Sequence, residues 1–204
     1  MKNKKVLMAV ASTALVAVVG IGATLAYFTD QAEAENIVTM GHVDIDLTEK
    51  SEDDDSVMIE DGLRFDNVMP GDVISKIPTI TVADDSQNAY VRMKMEITTP
   101  EGSGITAEDL ELLETGLRKN ITNQSGWSYN DGYYYYNDAL EATEFVDFFQ
   151  HVDIPAEWHN NTADGSFTIK LKAEAIQEEN VQPTKEGDLI VGWPEATIEE
   201  YTAK

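Results

Sequence analysis

Between Ala89 and Thr98 every second residue is apolar. Ala89, Val91, Met93, Met95 and Ile97 alternate with Tyr90, Arg92, Lys94, Glu96 and Thr98. Side chains leave an extended strand on opposite sides in turn, so this spacing predicts a strand with one face in a core and one in water. A helix repeats its faces about every 3.6 residues and would scatter these apolar groups around its surface. Ser166 to Ile176 repeats the pattern, with Phe167, Ile169, Leu171 and Ala173 set against Thr168, Lys170, Lys172 and Glu174. Val43, Ile45 and Leu47 do the same against Asp44, Asp46 and Thr48.

Turn chemistry divides the rest into further short strands. In Val68-Met69-Pro70-Gly71-Asp72, Pro presets φ and Gly accepts positive φ, so a turn is expected. Val73 to Val82 follows as a broken strand, with Pro78 expected at an edge or a bulge because it lacks an amide proton. Trp127 to Tyr136 reads as a hairpin about Asp131-Gly132. Tyr133 to Tyr136 cannot all face inwards, so two should pack and two should face water or a partner. Phe145 to Ile154 is a further strand ended by Pro155, and Leu189 to Trp193 a short one. Glu49 to Asp55, Asn160 to Gly165 and 177–188 read as polar loops. One helix is expected over 107–119. Thr106 and Asp109 resemble a capping box, Leu110, Leu113 and Leu117 recur at helical spacing beside Leu112, and Arg118 and Lys119 suit the negative pole. The sum is an all-β chain with a short helix, organised as an antiparallel β-sandwich.

The N-terminus belongs to another category. Lys2, Lys4 and Lys5 precede an uncharged run from Val6 to Phe28. A basic start, an apolar middle and a small-residue exit make a secretory signal, with Thr24-Leu25-Ala26 suiting a cut after Ala26 and a cut after Tyr27 fitting poorly. The competing reading is a retained anchor, since a bilayer needs about 20 apolar residues. Residues 1–26 are therefore set apart from the fold. The expected divisions are a signal at 1–26, an N-terminal segment at 27–39, a sandwich at 40–194 and a tail at 195–204.

Composition excludes more than it assigns. Asp and Glu number 38 against 14 Lys and Arg, a net charge of −24. Such a chain lacks the cations that bind nucleic-acid phosphates or anionic lipid. There is no cysteine, hence no disulfide, thiol nucleophile or cysteine metal site. That fits an exported protein of a Gram-positive-type cell surface. His42, His151 and His159 form no H-E-x-x-H, and the eight-residue spacing of the last two suits no common zinc set. Glu52 to Asp55 could hold calcium through oxygen ligands but lacks the spaced pattern of an EF-hand loop. No nucleophile elbow or phosphate-binding glycine loop is present. No catalytic residue, cofactor or metal ligand is assigned.

Four segments carry a resemblance. Gly22-Ala23-Thr24-Leu25-Ala26-Tyr27-Phe28-Thr29-Asp30 resembles the G-x-T-x-A-x-F-x-D ending of proteins cut by the SipW signal peptidase. Asn36 to Ile45, Met69-Pro70-Gly71-Asp72 and Lys172 to Gln177 resemble, in order, the first strand, P-G-D turn and late E-A-x-Q strand of the TasA/camelysin family. The resemblance implies a jelly-roll-like sandwich and a secreted subunit of biofilm-matrix or cell-surface fibres, handled by a SipW-like peptidase. It also implies self-association by donor-strand complementation. The donor would be Tyr27 to Thr39, with Tyr27, Phe28, Ile37 and Val38 as its apolar residues. Two alternatives stand beside it. One is a monomeric adhesive module using Trp127 and Tyr133 to Tyr136. The other is a camelysin-like surface metallopeptidase, for which His151 and His159 would be the residues to test.

Overall fold

The computed structural model describes residues 42–54, 56–59, 62–124, 126–158, 162, 165–179 and 182–194. The signal, the segment 27–39 and the tail 195–204 lie outside the described residues. Within the compact unit Gly41–Lys204, two antiparallel sheets enclose one core. The first sheet orders β1 (Ile45–Lys50), β5 (Ile77–Val82) and β9 (Phe145–Asp147). The second orders β11 (Thr168–Gln177), β6 (Ala89–Thr98), β8 (Tyr133–Tyr136) and β7 (Trp127–Asn130). Two-stranded pieces complete it: β2 (Val57–Ile59) with β3 (Gly62–Arg64), β4 (Val73–Ser75) with β10 (His151–Asp153), and β12 (Thr184–Glu186) with β13 (Leu189–Gly192).

The alternation read from the sequence decides the faces. Val91 and Met93 of β6 point into the core with Ile80 and Val82 of β5, all fully buried. Trp127 and Tyr134 face the same interior, where Tyr134 and Phe148 meet edge to face at 5.1 Å. The hairpin about Asp131-Gly132 forms as expected, both residues taking positive φ. At Pro70-Gly71, Gly71 takes φ +91, the Asp72 amide donates to the Met69 carbonyl (3.0 Å), and the Asp72 carboxylate accepts from the Met69 amide (2.8 Å). Asp72 thus completes the turn that Pro and Gly begin.

Pro78 departs from expectation. It sits in the central strand β5, opposite Glu49 on β1. On its other side Val73–Asp153 and Thr79–Asp147 belong to one unbroken register, so β4–β5 and β9–β10 form a single long ladder. The proline is tolerated because its carbonyl still accepts from the Phe148 amide (2.8 Å), and only the rung that needs its missing proton is lost. Beside it, Lys76 is buried and ion-paired with Glu49, which belongs to β1 and not to the exposed loop expected from Glu49 to Asp55.

The helix α1 runs from Ala107 to Asn123, longer than the expected 107–119. Thr106 and Asp109 form the reciprocal capping box. Ile121 continues the spacing of Leu113 and Leu117 and is fully buried, so packing carries the helix one further turn. The extension moves Arg118 away from the terminus. It pairs with Glu114 at 2.6 Å and lies over the Tyr129 ring at 4.3 Å, so it does not serve the helix pole.

Leu117 is 1% exposed and Leu112 41%. Leu117→Ala should therefore cost about 2–5 kcal/mol and Leu112→Ala under about 0.5 kcal/mol, read from urea midpoints. Burial pushes the Tyr134 phenol from 10.0 up to about 12, against the opposing pull of nearby Arg118. The unfolded phenol ionises first. Its contribution is thus full below about pH 10 and lost as pH rises through about 12. Tyr134→Phe should flatten the alkaline decline in stability across that window, as followed by circular dichroism.

Candidate functional site

Metal chemistry is tested first by what the carboxylates already do. A cleft of about 640 Å³ brings Lys50, Asp53, Asp147, His151 and Asp153 together. The Asp53 carboxylate accepts from the Ser75 amide (2.6 Å), Asp147 from the Thr79 hydroxyl (2.7 Å) and Asp153 from the Asn120 amide group (2.8 Å). His151 lies 3.8 Å from Asp153, and His42 lies 3.5 Å from Asp85 elsewhere. Among the described residues no group of three or more His, Cys, Asp or Glu is placed to hold a metal ion. These residues do not fit a zinc centre. In the acidic run, the Asp53 carboxylate binds the loop to β4, and the Glu52 backbone amide donates to the Ser75 hydroxyl (3.0 Å). His159 lies outside the described residues.

The outer face of the β11-β6-β8-β7 sheet holds an arrangement that the sequence reading missed. Arg92 lies between the rings of Tyr133 (3.9 Å) and Trp193 (4.4 Å). It binds the buried Glu174 carboxylate at 2.6 Å. The β12–β13 hairpin covers this end of the face. Ile190 is fully buried, its amide donates to the Asn137 side-chain oxygen (2.7 Å), and its carbonyl accepts from the Ser128 hydroxyl. The Asn130 amide group donates to the Val191 carbonyl (2.6 Å). The signal for this hairpin was present: Gly187-Asp188 between Thr184–Glu186 and Leu189–Gly192 is a hairpin dipeptide inside the stretch taken as a polar loop.

That cover corrects the tyrosine expectation. Tyr134 is in the core, Tyr135 is buried on the outer face, and Tyr133 and Tyr136 are half-buried. Trp127 is 4% exposed, and its indole donates to the Asp147 carbonyl (3.1 Å). The pair expected to meet a partner instead meets Arg92 and Trp193 of the same chain. Tyr134, Tyr135 and Trp127 are thus taken up by packing, and Tyr133 and Tyr136 keep part of their surface.

The third feature is an edge. β1 and β11 each pair on one side only among the described residues, and they lie beside one another at the margins of the two sheets. Their inward residues, Ile45 and Leu47 on β1 and Ile169, Leu171, Ala173 and Ala175 on β11, are only half-buried against the core. Ile80 and Val82 on β5 and Val91 and Met93 on β6 face the same interior and are fully buried, while Met95 and Ile97 at the far end of β6, opposite Leu171 and Ile169, are half-buried. A strand margin of this kind offers unpaired backbone groups and uncovered apolar side chains together. Ala26, Tyr27, Phe28, Ile37 and Val38, which the sequence assigned to cleavage and to the donor, lie outside the described residues.

Among the described residues no helix is long and apolar enough to cross a membrane. No curated protein and no solved structure matches the chain. The profile of the camelysin metallo-endopeptidases matches residues 1–108. That stretch is more than half of the 204 residues and carries the exit motif, the first strand and the P-G-D turn. The chain belongs to the camelysin metallo-endopeptidase family.

Proposed function

We propose that the chain is a structural subunit of an extracellular fibre or matrix, exported by its N-terminal signal and assembled by strand addition. Family membership supports a secreted or surface-held protein. The observation that carries the finer reading is the half-covered margin at β1 and β11. Residues 27–39 of one copy, with Tyr27, Phe28, Ile37 and Val38 as anchors, complete the sandwich of the next. Backbone hydrogen bonds supply affinity and side-chain pockets supply register. Each subunit gives a strand and takes one, so the contact is head to tail and grows a filament. Signal cleavage, after Ala26 or less readily after Tyr27 by a SipW-like peptidase, frees the donor. In this reading the domain limits are 1–26, 27–39, 40–194 and 195–204, with no nucleic-acid partner.

A metallopeptidase is the second reading because the family is named for that activity. The committed carboxylates of the described residues weigh against it.

The exported chain should form filaments visible by electron microscopy, and removal of residues 27–39 should abolish them while leaving the β circular-dichroism spectrum intact. Identical filaments from the shortened chain would sink strand addition. With 38 carboxylates, lowering pH from 7 to 4 should relieve repulsion between copies and advance assembly, as read by size-exclusion chromatography and light scattering. Bound zinc at one ion per chain, with chelator-sensitive casein cleavage lost in His151→Ala, would overturn the structural reading.

A further inference from the structure

We infer that β11 is the edge that receives the incoming strand, and that Lys170 and Lys172 set its register by facing Glu33 and Glu35 of the neighbouring copy. This rests on the strand-addition reading above and adds to it the identity of the edge and the residues that select the partner.

The outer face of the β6–β11 pair is unusual for a chain of net charge −24. On the two strands themselves, among the described residues, Arg92, Lys94, Lys170 and Lys172 stand there beside the acids Glu96 and Glu174. Lys170 lies opposite Glu96, and Glu174 pairs with both Arg92 and Lys172. Lys172 nevertheless lies directly across the ladder from Lys94. Like charges at opposed positions destabilise a strand pair. A carboxylate arriving on the free side of β11 offsets that cost. The side chains of Lys94, Lys170 and Lys172 are exposed and within reach of such a group.

The same lysines decide what may not bind. A second β11 laid against the first would bring lysine to lysine, so edge-to-edge pairing of identical strands is disfavoured. A strand bearing acids on its outer face and small apolar groups on its inner face is admitted. Ala32-Glu33-Ala34-Glu35 has that alternation. With Glu33 and Glu35 outward, the period of two turns Phe28, Ala32, Ala34 and Val38 inward with Asp30 and Asn36 between them, towards the half-buried Ile169, Leu171, Ala173 and Ala175, and leaves Tyr27 and Ile37 on the outer face. Ala32-Glu33-Ala34-Glu35 is thus polar on the side that meets lysine. A shift by one residue would put both glutamates into the core margin, so the charges exclude that register.

Charge reversal in the full exported chain tests this at pH 7, where glutamates are ionised. Lys170→Glu with Lys172→Glu, and separately Glu33→Lys with Glu35→Lys, should each raise the concentration needed for filaments by about tenfold or more, through two facing like-charge pairs in place of attractive ones. An equimolar mixture of the two should form filaments of alternating copies, since each heterotypic contact is attractive, and the chain carrying all four reversals should assemble at nearly the original concentration. Thermal unfolding of each variant reports whether the fold is kept. Folded variants whose double reversals leave assembly unchanged, or whose quadruple reversal shows no rescue, overturn the assigned edge. If removal of 27–39 also leaves filaments intact, strand addition itself fails. If removal abolishes them while the reversals do not couple, only the choice of edge and register is wrong.

Discussion

The ten-residue ladder between β6 and β11 governs this fold. It runs without a register change from Ala89–Gln177 to Thr98–Thr168. Because side chains alternate, that single register places Val91, Met93, Leu171 and Ala173 inside and Arg92, Lys94, Lys172 and Glu174 outside. A slip of β11 by one residue would turn its two faces over and drive Lys170, Lys172 and Glu174 into the core. The helix, the tyrosine hairpin and the β12–β13 cover all pack on surfaces that the ladder defines. Val91 and Met93 supply floor for Leu113 and Tyr134, and Arg92 supplies the seat for Trp193.

Much of this was legible in the residues because it is local. Period-two alternation announced β6 and β11, Asp131-Gly132 announced the hairpin, and Thr106 with Asp109 announced the helix start. What was not legible depends on neighbours distant in sequence. The last helical turn exists because Ile121 finds the core, which no helix-end signal states. Pro78 enters a central strand because Phe148, seventy residues later, can use its carbonyl. Glu174 reads as a solvent-facing acid and is buried because Arg92 and Trp193 close over it.

The candidate sites divide in the same way. Histidines and acid clusters drew notice in the sequence, yet in three dimensions Asp53, Asp147 and Asp153 are occupied in holding strands and helix together. Aromatic residues drew notice as a binding surface and are absorbed by packing. The half-covered strand margin had no sequence signature, since it depends on which strand ends each sheet. Its lysines were visible as residues but not as an edge.

Pro78 has a mechanical consequence. The ladder from Val73 to Val82 against Phe145 to Asp153 lacks one rung at the proline, and Ile77 and Pro78 lie beside the buried Lys76–Glu49 pair rather than deep in the aromatic core. The strand pair therefore behaves as two clamps in series. The inner clamp, β5 with β9, is held by the core around Ile80 and Phe148. The outer clamp, β4 with β10, pairs over three residues as the inner one does, and the fully buried Val152 ties it to the core. Because Val152 belongs to the same core as Ile80 and Phe148, opening the outer clamp would uncover that interior, so shared packing bridges the missing rung.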